Sequence, residues 1–115
     1  MRLRQSFRYA WNGLTAAIRT QPNLRIHLGI ITLVVFLGFY FSISTVEWCI
    51  ILLAMGMVVG SELLNSAIEE WVNHVTPERN EKAGRIKDIA AAAVLCVSLV
   101  AGIIGFLIFG KYFFS

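Results

Sequence analysis

Three stretches of this 115-residue chain stay apolar for long enough to cross a lipid bilayer. A chain that carries three of them has few folds open to it, because a lipid core leaves no water to satisfy exposed backbone groups. Leu28 to Ser44 is apolar but for Thr32 and the serines near its end. It is about as short as a span can be for a hydrocarbon core of roughly 30 Å. The second span is read over residues 47–72: it is uncharged from Trp48 to Ser61, then keeps its helical character through Glu62, Glu69 and Glu70 to Val72. The third is read over residues 88–110, apolar from Ile89 to Phe109. Hydrophobic residues make up 57% of the chain and charged ones 15%. Charged residues are about a quarter of an ordinary soluble domain. A soluble fold of this size has too little interior to hide such a surplus, whereas a bilayer takes it up.

Ahead of the first span, Leu3, Phe7, Trp11, Leu14 and Ile18 recur at helical spacing, with Arg4, Arg8, Asn12, Thr15 and Arg19 opposite them. This predicts an amphipathic helix over residues 3–20, lying in the membrane interface rather than crossing it. Pro22 disfavours helix at the residue before it, so Gln21-Pro22-Asn23 is expected to break that helix. The fold expected is therefore an all-α membrane protein, a single domain over residues 1–115 with one surface helix and three transmembrane helices. The stretch from Asn73 to Arg85, with Thr76-Pro77 inside it, reads as a loop.

The net charge of +3 is of the sign that nucleic acid attracts, but the placement of the charges points to a membrane. Arg2, Arg4, Arg8, Arg19 and Arg25 precede the first span, Arg79, Lys82, Arg85 and Lys87 fill the second loop, and only Lys111 lies elsewhere. By the positive-inside rule the N-terminus and the second loop are expected in the cytoplasm and the C-terminus outside. No nucleic-acid partner is expected, since no basic-aromatic face emerges. Cys49 and Cys96 sit in apolar runs and read as small packing residues. His27 and His74 flank spans and read as interfacial residues.

The chemistry concentrates on the second span. At roughly 100° per residue, Glu62, Asn65, Ser66, Glu69 and Asn73 share one face about 100° wide, while Leu63, Leu64, Ile68 and Val72 lie away from it. An acidic side chain at such depth costs about 2.5–3.5 kcal/mol on insertion scales, which a purely structural helix has little reason to carry. One reading is a polar seam that holds helices together. The other is a site: Glu62, partly withdrawn from water, suits a general base, and Glu69, nearer the surface, suits a divalent cation. Lys87 can neutralise phosphate oxygens, and Asp88 can orient it or cap a helix beginning there. Such a set fits phosphoryl transfer to a lipid hydroxyl.

With these residues in place, the sequence resembles the small prokaryotic diacylglycerol and undecaprenol kinases over nearly its whole length. The resemblance is carried by Glu62-Leu63-Leu64-Asn65-Ser66-Ala67-Ile68-Glu69, by Gly84-Arg85-Ile86-Lys87-Asp88-Ile89-Ala90-Ala91-Ala92-Ala93-Val94-Leu95, and by Ser6-Phe7-Arg8-Tyr9-Ala10-Trp11-Asn12-Gly13-Leu14 with Arg25-Ile26-His27. It implies an integral enzyme of the prokaryotic plasma (inner) membrane, a homotrimer with its sites between protomers, that phosphorylates a lipid with ATP and Mg2+. It further implies Glu62 as the base supported by Asn65, and Glu69 and Gln21 at the metal. Tyr9, Glu78, Arg79, Asn80, Lys87 and Asp88 would meet the nucleotide, and Ser66, Trp11 and Arg25 the lipid. The sequence departs from the family at three places. Gln21 stands where a metal-binding glutamate is usual, Asn73 where the signature helix usually ends in aspartate, and Asn80 where histidine is common. Gln21 and Asn73 favour the alternative of a weak or inactive relative acting as a non-enzymatic membrane module.

Overall fold

Helix ends in this chain are set by a few capping residues. In the computed structural model, which describes residues 2–114, four helices follow one another: α1 (Leu3–Thr20), α2 (Pro22–Tyr40), α3 (Thr45–Val75) and α4 (Glu81–Phe113). α2, α3 and α4 are long and apolar enough to cross a membrane. At about 1.5 Å per residue, α3 and α4 are each longer than a hydrocarbon core of roughly 30 Å, so their ends project beyond it.

Pro22 does more than end α1. It occupies the first position of α2, where its fixed φ suits a helix start and its missing N–H would have no intrahelical partner anyway. Only Gln21 separates the two helices, extended at φ −113°. The Arg25 guanidinium then reaches back and donates from Nη1 to the carbonyls of Ile18 and Arg19, each at 2.9 Å. It thereby satisfies two of the acceptors left open at the end of α1.

α2 stops at Tyr40, so the last residues of the expected first span form the turn into α3. The Ser42 N–H donates to Phe39 O at 3.3 Å and the Ile43 N–H to Gly38 O at 3.1 Å. This is a Schellman closure with Ser42 at φ 52°, the left-handed position where glycine is usual. Ser44 caps α3 in a reciprocal box: its Oγ accepts from the Glu47 N–H at 3.1 Å, and Glu47 Oε1 accepts from the Ser44 N–H at 2.9 Å. The two side chains satisfy each other's exposed backbone donors.

The loop expected over residues 73–85 is helical at both ends. α3 continues to Val75, and α4 begins at Glu81, leaving 76–80 outside helix. The cap of α4 is Asn80, whose Oδ1 accepts from the N–H groups of Lys82 (2.9 Å) and Ala83 (3.2 Å). Asp88 lies two turns inside the helix and caps nothing.

α4 packs mainly on α3, and α2 lies against α3 on another side. The buried cluster of Ile43, Ile51, Ile108 and Phe109 ties the α2–α3 turn to the end of α4, so neighbouring helices run antiparallel. Beside it, Glu47 joins Lys111 and accepts a 2.7 Å hydrogen bond from the Tyr112 hydroxyl. The apolar core therefore sits at the turn end of the bundle, away from Glu62.

Candidate active site

Glu62 lies midway along α3 and is 2% exposed. Its Oε2 is 3.5 Å from His27 Nε2 on α2. His27, read from the sequence as an interfacial residue, is thus the side-chain partner of the buried carboxylate. Helical spacing on α3 could not reveal this, because the partner belongs to another helix. Ser66 Oγ donates to the Glu62 carbonyl at 2.9 Å, a bond within its own helix. Asn65 is 8% exposed, and its buried Oδ1 has no hydrogen-bond partner among the described residues. An unpaired amide oxygen beside a nearly unpaired carboxylate is costly in a finished interior. It is what a site awaiting a hydroxyl or amide donor presents.

His27 also stands at one end of a cavity of about 360 Å³ between α2, α3 and α4. Ile30, Val34, Val58, Met55 and Phe109 are among its walls, and Ser98 and His27 are its polar members. An apolar slot with His27, the partner of Glu62, at one end has the polarity of a single-headed lipid.

The remaining residues fall into two groups. Gln21, half-buried, shares a cleft with Ser66, Leu63, Ala67 and Glu70 of α3 and the small residues Ala10, Gly13 and Ala17 of α1. Glu69 is half-buried but does not line that cleft; Glu70, an exposed carboxylate, does. At the start of α4, Arg79, Asn80, Glu81, Gly84, Arg85 and Asp88 surround a shallow polar depression of about 520 Å³. Glu78 is exposed beside it and Lys87 half-buried. Tyr9 and Trp11, on α1, are 58% and 66% exposed. Among the described residues the ion pairs are His27–Glu62 and Lys111–Glu47. Within the chain, then, Lys87 pairs with neither Glu62 nor Glu69.

Among the described residues, no cluster of three acidic, histidine or cysteine side chains is close enough to cage a metal. Mg2+ does not ask for such a cage: it keeps several waters and takes one or two carboxylates together with substrate phosphates. Glu69 and Gln21 are the residues the sequence offers for it, but the cleft that Gln21 lines holds Glu70 and not Glu69.

The prokaryotic diacylglycerol kinase family model matches residues 8–109. The chain belongs to that family. It is 38% identical to the undecaprenol kinase of Bacillus subtilis (strain 168), over 91% of this chain and 85% of that one. It is 32% identical to the diacylglycerol kinase of Escherichia coli (strain K12), over 81% of this chain and 76% of that one. To the diacylglycerol kinase of Haemophilus influenzae it is 30% identical, over 86% and 84%. As a prokaryotic diacylglycerol kinase family member with three membrane-length helices, it is a membrane protein of the lipid kinase class.

Proposed function

We propose that the chain transfers the γ-phosphoryl group of ATP to the hydroxyl of a membrane lipid at the cytoplasmic interface. Undecaprenol is the acceptor favoured and diacylglycerol the other candidate. The observation that carries this reading is the burial of Glu62, with its carboxylate facing His27 at one end of an apolar cavity. Identity to the Bacillus undecaprenol kinase, 38% against 32% for the Escherichia enzyme, supports the choice of acceptor.

Glu62 takes the proton of the lipid hydroxyl, and Asn65 supports that site, its amide NH2 being able to donate to the hydroxyl oxygen. The cavity takes the first part of the tail, with Ser66, Trp11 and Arg25 around the head. Glu69 would hold Mg2+ with the carbonyl oxygen of Gln21, and the ion would neutralise charge on the phosphates. Lys87 and Asp88 meet the nucleotide with Tyr9, Glu78, Arg79 and Asn80. Asn80 has its amide oxygen committed to capping α4, so its NH2 group is the part left for a ligand. In a homotrimer a second copy would bring its α4, with Lys87, to the first copy's α3; within one chain Lys87 pairs with neither Glu62 nor Glu69.

The test is turnover by purified protein in mixed micelles with labelled ATP, offered undecaprenol and diacylglycerol in turn, with and without Mg2+. Wild-type protein phosphorylates lipid only with Mg2+. Glu62→Gln abolishes turnover, a loss of at least about 100-fold, and leaves the oligomer intact by size-exclusion chromatography. Turnover near wild type would remove Glu62 as the base. No lipid phosphorylation by the wild type would leave the non-enzymatic membrane module.

A further inference from the structure

A buried carboxylate that accepts a proton on every turnover must also be able to give it up. The Glu62 side chain is 3% exposed, against 21% for His27, and the two meet at 3.5 Å between Oε2 and Nε2. His27 sits in the second turn of α2, nearer the helix end and its water than Glu62 is. On the other side of the imidazole, the cavity between α2, α3 and α4 is walled by apolar residues and glycines, with Ser98 and no further titratable group. Ser66 has its hydroxyl on the Glu62 main chain and is no acceptor for the carboxyl proton. The imidazole is the exit.

We propose that His27 is a positioning residue that acts through Glu62, holding its carboxylate and carrying off the proton it has taken. The inference rests on the lipid kinase reading above. In the transfer the lipid O–H bond breaks and its proton goes to Glu62. The freed oxygen bonds to the γ-phosphorus, and the bond from that phosphorus to the departing ADP oxygen breaks. Glu62 then gives the proton to the Nε2 lone pair of neutral His27, leaving an imidazolium beside a carboxylate. The imidazolium releases its Nδ1 proton to interfacial water, which leaves Nε2–H donating to the Glu62 carboxylate, and tautomer exchange through that water restores the Nε2 lone pair before the next turnover. One proton leaves the lipid and one reaches water. A 3.5 Å separation is at the long end for such a pair, and catalytic hydrogen bonds of this kind tighten when substrate binds.

The experiment uses full-length protein in mixed micelles and three histidine variants. His27→Gln keeps a hydrogen-bonding side chain without a transferable ring proton. It lowers kcat by roughly 100-fold while leaving KM for ATP unchanged. His27→Ala loses as much, and added imidazole restores its kcat in proportion to concentration. His74→Gln, at a histidine outside the pair, is unaffected. The second readout is the ring 15N signals of labelled histidine: Glu62→Gln moves those of His27 and leaves those of His74 in place. Full turnover by His27→Gln, a His27→Ala variant indifferent to imidazole, or His27 signals unmoved by Glu62→Gln would each overturn the proposal. If the wild type phosphorylates no lipid, the kinase reading fails by itself, and the 15N measurement still decides whether the pair exists.

Discussion

Glu47 and Glu62 share one helix and are held in opposite ways. Glu47 is enclosed by partners: the Ser44 N–H, the Tyr112 hydroxyl and the Lys111 ammonium. Among the described residues, Glu62 has His27 as its only side-chain partner. A carboxylate tied to a cap, a hydroxyl and an ammonium is part of the architecture, while one with a single side-chain partner is better placed for chemistry. The sequence made this contrast half legible. The polar face from Glu62 to Asn73 was visible because helical spacing gathers it, whereas the Ser44–Glu47 capping box emerged only with the structure. His27 was hidden, since its partner lies on another helix and lone histidines near span ends are commonplace. The architectural role gives a prediction. Ser44→Ala removes one half of the capping box and lowers stability by about 1 kcal/mol, read by thermal denaturation in detergent. Lipid phosphorylation per folded molecule stays at the wild-type level, because the altered turn is at the far end of α3 from Glu62.

At the scale of helices, the apolar runs announced three spans because a core of roughly 30 Å dictates their length. Their ends were less legible. Apolarity marks where lipid begins, and a helix ends where its backbone finds a cap. Asn80 therefore starts α4 well before the apolar run, and Pro22 starts α2 before its own. The α2–α3 hairpin depends on a close approach. A methyl group on Gly38 would lie 2.5 Å from Trp48 Cη2 and 2.7 Å from Cζ2, with the rest of the ring behind those atoms. Two effects then oppose each other in Gly38→Ala. Alanine gains about 1 kcal/mol over glycine inside a helix, while overpacking against an indole costs about 1–3 kcal/mol. The variant is thus net destabilised in the wild-type background. Combined with Trp48→Leu, which clears the ring, the same substitution becomes stabilising by about 1 kcal/mol. Denaturation of the four proteins of this cycle reads the reversal of sign; alanine having the same effect in both backgrounds would show that Gly38 and Trp48 do not meet.

At the scale of the molecule, antiparallel packing sorts the chain into two ends. The turn at 41–44 and the end of α4 meet around Ile43, Ile51, Ile108 and Phe109. The α1–α2 junction and the 76–80 segment therefore lie together at the other end, with Glu62 nearer to them than Glu47 is. The charges divide the same way: Arg19, Arg25, Arg79, Lys82 and Arg85 mark the Glu62 end, and Lys111 at the opposite end is neutralised by Glu47. By the positive-inside rule this bias of basic residues is expected to place that end in the cytoplasm, as the proposed use of ATP requires. Topology and activity thus stand or fall together, and labelling tests the first without assaying the second. With Cys49 and Cys96 replaced by alanine, a single cysteine at Glu78 is expected to react with an impermeant maleimide in inside-out vesicles and to be protected in intact cells. A cysteine at Ser44 shows the reverse. Were Glu78 labelled from outside, the basic end would face away from cytoplasmic ATP, and Glu62 with its histidine would be stranded on the wrong side of the membrane for a kinase.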